Sequence, residues 1–241
     1  MKTEEIRKRL RDLADEKKAG VLRRFFKTGP GEYGEGDVFL GLTVPQLRKL
    51  AREYRDTSDP QVRDLIMSPV HEERMLALFL LMGKYSEGGG KRKKDIYTFY
   101  LEHVRFVNNW DLVDLSAPSV VGDFLLDRSR KPLYRLARST SLWERRIAVL
   151  ATFTFVKQGQ FSDTLKIAEI LLSDKEDLIQ KAVGWMLREV GKRDLNAEEG
   201  FLRVHYRKMP RTMLRYAIER FAPSKRKLYL EGKVRPLECD A

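Results

Sequence analysis

Apolar residues recur at helical spacing along most of the chain. The stretches "PQLRKLAREYR" (45–55), "EERMLALFLLMGKY" (72–85), "LWERRIAVLATFTFVK" (142–157) and "DLIQKAVGWMLREVGK" (177–192) each place them on one face of a 3.6-residue turn, which predicts helices. Thr43 with Gln46 reads as a capping box, and Ser141 as the cap of the helix entered through Trp143. "MKTEEIRKRLRDLADEKKAG" at the start reads as a charged amphipathic helix. Breaks are predicted at "EGGGKRKK" (87–94), "SRKP" (129–132), "KQGQ" (157–160) and "RKMPR" (207–211). Only "DVFLGLTV" (37–44) suggests a strand, and it is too short to start a sheet alone. The pattern predicts an all-α protein.

A second period lies above the helical one. Arg74, Arg146, Lys181 and Arg215 each precede small apolar residues, and Trp110–Asp111 fills the gap between the first two. The interval is about 35 residues, within the range of tandem helix-pair repeats. Such repeats stack into a curved solenoid whose equivalent helices line a concave face, which here carries Trp110, Arg146 and Lys181 side by side. Chance spacing in an all-helical protein is the alternative.

Charge sharpens this picture. With 47 Lys+Arg against 35 Asp+Glu in 241 residues, the net charge is +12, which favours a polyanionic partner such as nucleic acid. The excess is clustered. Residues 128–146 hold seven basic residues against Glu144, residues 203–227 hold nine against Glu219, and "KRKK" (91–94) forms a basic loop. Any one cluster reads as a solvated face, but three at comparable repeat positions favour a basic concave groove. The length allows one large domain or two small ones, and the expectation is a single helical domain over 1–241 with 223–241 as a C-terminal tail. The lone Cys239 excludes an internal disulfide and a cysteine zinc cluster. With no signal peptide and no apolar run of about 20 residues, the expectation is a soluble cytoplasmic protein without membrane contact, associated with the nucleoid when bound to DNA; a monomer is expected.

Chemistry concentrates in "NNWDLVDL" (108–115). Trp110 and Asp114, four residues apart, share a helix face, and Asp111 points about a quarter-turn away. A carboxylate in such apolar sequence is costly if buried and idle. Spacing alone does not choose between Asp114 and Asp111. Trp110 and Trp185 would ordinarily be core residues, and Asp114 a partner for Arg146 or a helix cap. Arg146 has plain partners in Glu144 or Asp111, while Arg145 faces elsewhere, towards solvent. The three histidines, His71, His103 and His205, show no metal-ligand spacing. The glycine-rich "KTGPGEYGEGDVFLG" (27–41) lacks the spacing and lysine of a phosphate loop and reads as a connection.

Several of these stretches together resemble the AlkD family of bacterial DNA alkylation-repair glycosylases. "NNWDLVDLSAPSVVGDFLL" (108–126), "LWERRIAVLATFTFVKQG" (142–159) and "KEDLIQKAVGWMLREVGKRD" (175–194) carry the likeness, with "FLGLTVPQLRKLAREY" (39–54) similar to the family's N-terminal part. The resemblance runs in order from about residue 20 to 222. It implies a solenoid of HEAT-like repeats that hydrolyses the N-glycosidic bond of cationic N3- or N7-alkylated purines in duplex DNA, without extruding the base and without a cofactor or metal. It assigns Asp114 as the catalytic carboxylate, and Trp110 and Trp185 as indoles against the deoxyribose. Arg146 is implied to hold the phosphodiester backbone, and Phe25 stands where relatives carry a tyrosine at the groove edge. Lys181 is a phosphate contact by repeat position only.

The implied chemistry suits so sparse a set. A cationic purine departs neutral and needs no general acid, so one carboxylate can stabilise the oxocarbenium ion and orient water. Two indole faces favour the same cation. Neutral glycosides, by contrast, require a second carboxyl group as acid. The sequence departs from relatives at Phe25, at Asn109 (some have a second tryptophan there) and at Thr152 and Thr154, in place of longer polar groups. Two other readings stand beside the enzyme: a non-catalytic nucleic-acid-binding scaffold, and a protein-interaction solenoid kept soluble by its charge.

Overall fold

The structure, a computed structural model, describes residues 2–235; Cys239 lies outside them. The chain forms two compact units, one ending at Ser116 and the other beginning at Ala117. Among the described residues there is no strand, only an isolated parallel bridge between Val38 and Val70 within the stretch that hinted at one and the turn before a helix.

The first unit contains α1 (Lys2–Asp12), α2 (Glu16–Phe25), α3 (Val44–Glu53), α4 (Asp59–Ile66), α5 (His71–Glu87) and α6 (Gly90–Glu102), and it closes with α7 (Trp110–Ala117). The expected N-terminal helix is two helices. Asp15 leaves the helical conformation and accepts from the Lys18 backbone N–H, starting α2. Both predicted features of α3 are present: Thr43 and Gln46 form the capping box, and the helix buries Leu47 and Leu50. Helix α5 is buried on nearly all sides, from His71 to Leu81, and packs against α3, α4 and α6. A helix covered all round is the centre of a unit, not its surface. The "KRKK" cluster, expected in a loop, lies in the first turns of α6. The break is only Gly88–Gly89, because lysine and arginine are good helix formers once a turn has started.

The second unit follows a π turn over Pro118–Gly122 with α8 (Asp123–Leu125), α9 (Lys131–Leu136), α10 (Leu142–Lys157), α11 (Ser162–Ile170), α12 (Asp177–Gly191), α13 (Leu195–His205), α14 (Arg211–Ala217) and α15 (Pro223–Leu230). Ser141 caps α10 as predicted, accepting from the Glu144 backbone N–H. Helix α10 packs on α9, α11 and α12, and α12 in turn on α13 and α14. Two close approaches set this stacking. A Cβ on Gly122 would lie 2.3 Å from the Ala151 carbonyl, and one on Gly184 2.4 Å from that of Met213. The widened π turn is held by Thr154, whose hydroxyl donates to the Pro118 carbonyl at 2.6 Å. Within the segment 223–241, expected as a tail, Pro223–Leu230 is helical and buries Tyr229 against Tyr206 and Phe221. Apolar ring burial outweighs the local Lys and Arg content there.

Candidate active site

In the first unit the site is built on α7. Trp110 is half-buried, and its ring stacks on Phe26 at 5.2 Å and 21° while meeting Phe25 edge-on at 5.8 Å. Phe25 ends α2 and is 60% exposed, so a large ring stands open to solvent beside the indole. Asp114 lies one turn further along the same face and is also half-buried. Behind it Tyr100 is fully buried and shares a 2.8 Å hydrogen bond with Ser116; burial, with a contribution from the Asp114 charge, pushes its hydroxyl well above the usual range.

Asp111 has a different environment. Its Oδ2 is 2.9 Å from Nε2 of His71, and its Oδ1 accepts from the Leu112 N–H. The other ring nitrogen of His71 faces Asp37 at 3.4 Å, and Asp37 accepts from Arg74 at 2.6 Å and from Asn109 at 3.1 Å. Asn109 is fully buried, so this departure from relatives is a tether for the start of α7, not a gap in an aromatic wall. Arg74, a basic repeat position, is likewise buried, donating to the Ser68 carbonyl as well. Burial alone raises the Asp37 pKa, but the bond from His71 and the Arg74 charge outweigh it and hold the carboxyl below the usual range. Glu72, next to His71, accepts from the backbone N–H groups of Leu40, Gly41 and Leu42, which fixes the end of the glycine-rich connection. Asp111 also borders a cavity of about 330 Å³, lined mainly by apolar residues of α2, α3, α5 and the connection after α2, such as Leu22, Phe26, Leu47 and Met75.

In the second unit the candidates sit on α10 and α12. Arg146 is buried, and one of its guanidinium N–H groups donates to the Leu178 carbonyl in the first turn of α12. Arg145, expected in solvent, is ion-paired with Asp174 at 2.7 Å and donates to the Ser139 and Thr140 carbonyls. The reason is that the loop before α12 brings an acid within reach of it. Lys181, half-buried on α12, pairs with Asp177 at 2.7 Å, and Trp185 follows one turn later on the same face. The Trp185 N–H donates to Glu189 at 3.2 Å, and its ring lies 6.0 Å from Phe153. Burial would raise the Glu189 pKa, but Lys192, Arg193 and this indole bond keep it lowered, so the acceptor is a carboxylate. Thr152 is buried and donates to the Val149 carbonyl. The basic run 128–146 is partly neutralised, since Arg130 pairs with Asp163 and Arg145 with Asp174.

His71 is the residue that sequence reasoning missed. Its signal was the charged opening "HEER" of a helix otherwise apolar on every side, which leaves no exposed face for those charges.

Two units of packed helices, with half-buried indoles on α7 and α12 beside charged residues, define an all-helical protein. The chain belongs to the DNA alkylation repair enzyme family, whose sequence model matches residues 6–221. Among solved structures it is similar to a predicted DNA alkylation repair enzyme from Enterococcus faecalis, with a TM-score of 0.65 and 16% identity over 87% of this chain and 97% of that one. It is also similar to AlkD2 from Streptococcus mutans, with a TM-score of 0.56 and 17% identity over 83% of this chain and 99% of that one. No curated protein matches it in sequence. No described helix is long and apolar enough to cross a membrane.

Proposed function

We propose that the protein is a DNA glycosylase that hydrolyses the N-glycosidic bond of cationic N3- and N7-alkylated purines in duplex DNA, acting as a monomer and without extruding the base. Asp114 stabilises the oxocarbenium ion and orients the attacking water. Trp110 and Trp185 pack against the deoxyribose, Arg146 and Lys181 hold the phosphate backbone, and Phe25 extends the aromatic surface at the groove edge. The observation that carries this reading is the setting of Trp110. Its ring is fixed by Phe26 and Phe25 on the face of α7 that Asp114 shares, while Asp111 is bonded to His71. A stacked indole beside a carboxylate suits a developing cation, because neither group reorganises as charge moves onto the sugar.

A cationic purine already carries the charge that an acid catalyst would supply, so the reaction needs one carboxylate and water. Phosphate contacts supply affinity and register. Incubation with methylated duplex, followed by chromatography of the free bases, tests the reading directly. Release of 7-methylguanine or 3-methyladenine above the spontaneous rate is expected. Binding without release would leave the non-catalytic scaffold in its place.

A further inference from the structure

We infer that His71, with Asp37 and Arg74, is the positioning device of the reaction: as an imidazolium it bonds Asp111 and Asp37 at once and so sets the helix turn that carries Trp110 and leads to Asp114. The inference rests on the glycosylase reading for its catalytic consequence, but not for its structural one.

Both ring nitrogens of His71 face carboxylates, at 2.9 Å (Asp111) and 3.4 Å (Asp37). An ionised carboxylate only accepts, so both nitrogens can donate only when the ring is protonated. Burial disfavours that charge, and Arg74 opposes it, but the bonds from Asp111 and Asp37 prevail and raise the pKa. Among charged neighbours, α5 supplies Glu72 and Arg74, the glycine-rich connection between α2 and α3 supplies Asp37, and α7 supplies Asp111. The ring is buried against two phenyl rings that also stack on each other, Phe39 at 4.6 Å and Phe26, tilted, at 5.2 Å.

Phe26 is also the ring on which Trp110 stacks. Thus the start of α7 is fastened on either side of Trp110, by Asn109 to Asp37 and by Asp111 to His71, and the indole between them rests on a ring that touches His71. A buried, polar chain of this kind, whose members bond one another although the Arg74 Nε–H is left without a partner, fixes one geometry where apolar packing alone would allow several. Loss of the His71 proton removes one of its two donors, and α7 loses either the Asp111 tether or the order of Asp37 behind Asn109.

The test follows nuclear magnetic resonance of the His71 imidazole and of the Trp110 indole N–H from pH 5 to 9, the latter assigned by its absence in Trp110→Phe. Base release is measured over the same range for wild type, His71→Gln and His71→Phe. The two resonances are expected to move with one midpoint above the usual histidine value, and base release to fall on the alkaline side of it. His71→Gln, which keeps a donor but no charge, should release base more slowly and lose that alkaline fall. His71→Phe should lower kcat roughly ten- to a hundred-fold with KM little changed, as displaced catalytic groups do, and shift the Trp110 resonance. If His71 keeps its proton to pH 9, both resonances stay flat and the His71→Phe spectrum decides. Titration of His71 with Trp110 unmoved, or an unshifted Trp110 in either folded variant, overturns the inference. Failure of wild type to release base overturns the glycosylase reading instead, and the spectra still judge the positioning.

Discussion

His71 Nε2 and Asp111 Oδ2 lie 2.9 Å apart in the first unit, the histidine buried and the carboxylate partly so, although forty residues separate them in the chain. This bond gives Asp111 a structural task. Asp114→Asn is therefore expected to lower base release by about 10²–10³ with duplex binding retained, the usual cost of removing one well-placed electrostatic stabiliser. Asp111→Asn should act first on stability, costing about 1–3 kcal/mol by weakening a buried charge-assisted bond. Single-turnover base release and urea midpoints on the two variants separate the effects. An inactive but fully stable Asp111→Asn beside a fully active Asp114→Asn reverses the assignment.

Glu198 is buried against Gly191 with one carboxyl oxygen lacking a hydrogen-bond partner, and burial, helped by the neighbouring Glu199, pushes its pKa up to about 8. The folded protein thus holds a proton that the unfolded chain releases above its ordinary value. Between those two pKa values the native state binds more protons, so stability falls as pH rises, by up to about 3 kcal/mol at pH 7. Glu198→Gln should remove this loss, making the variant more stable than wild type at pH 8 and about equal at pH 4. His71 contributes in the same direction, because its raised pKa gives stability that is full below about 6.5 and is lost as pH rises through the folded value. Urea midpoints against pH, compared between wild type and Glu198→Gln, isolate the carboxyl.

Gly184 meets α14 so closely that an added Cβ would sit 2.4 Å from the Met213 carbonyl and 2.5 Å from Tyr216 Cβ. Backbone must give way, and Gly184→Ala should cost about 1–3 kcal/mol, as overpacking typically does. Since Trp185 is the next residue, the shift should also alter its fluorescence, read in a Trp110→Phe, Trp143→Phe background. An unchanged melting temperature refutes the contact.

Duplex binding should weaken steeply with salt, log affinity falling against log salt by about 0.9 for each phosphate neutralised. Lys181→Ala should make that slope shallower by about one unit with melting temperature little changed, because its observed pair with Asp177 is a surface pair of small worth. Arg146→Ala should flatten the slope as well and also lower stability, leaving the Leu178 carbonyl one donor short. A salt-insensitive complex excludes the phosphate role of both.

Lesion range follows from the lone carboxylate. Duplexes carrying 7-methylguanine or 3-methyladenine should yield free base, and those carrying uracil, hypoxanthine or 8-oxoguanine should not, since their neutral bases need protonation to leave. A panel of single-lesion duplexes at equal enzyme concentration measures this. Release of uracil that disappears in Asp114→Asn contradicts the charge argument.

Much of the architecture was legible in the residues because it is local. The helices over 142–157 and 177–191 follow the apolar period of their own sequence, and the caps at Thr43 and Ser141 need only residues three positions away. Trp110 and Asp114 stood out for the same reason, as a pair four apart on a helix, whereas Lys181 rested on its repeat position and Trp185 on the family resemblance. What the tertiary structure decided was the partner of each charge. "KRKK" and "HEER" look alike as charged helix openings, yet the first lies largely exposed or half-exposed in α6, and the second is buried with Asp37 and Asp111 as counter-charges. Arg145 and Arg146 are adjacent, and one finds Asp174 while the other reaches the Leu178 carbonyl. Helical periodicity fixes which face a side chain occupies, but an ion pair forms only where packing brings distant chain into reach and removes the water that would otherwise solvate both charges.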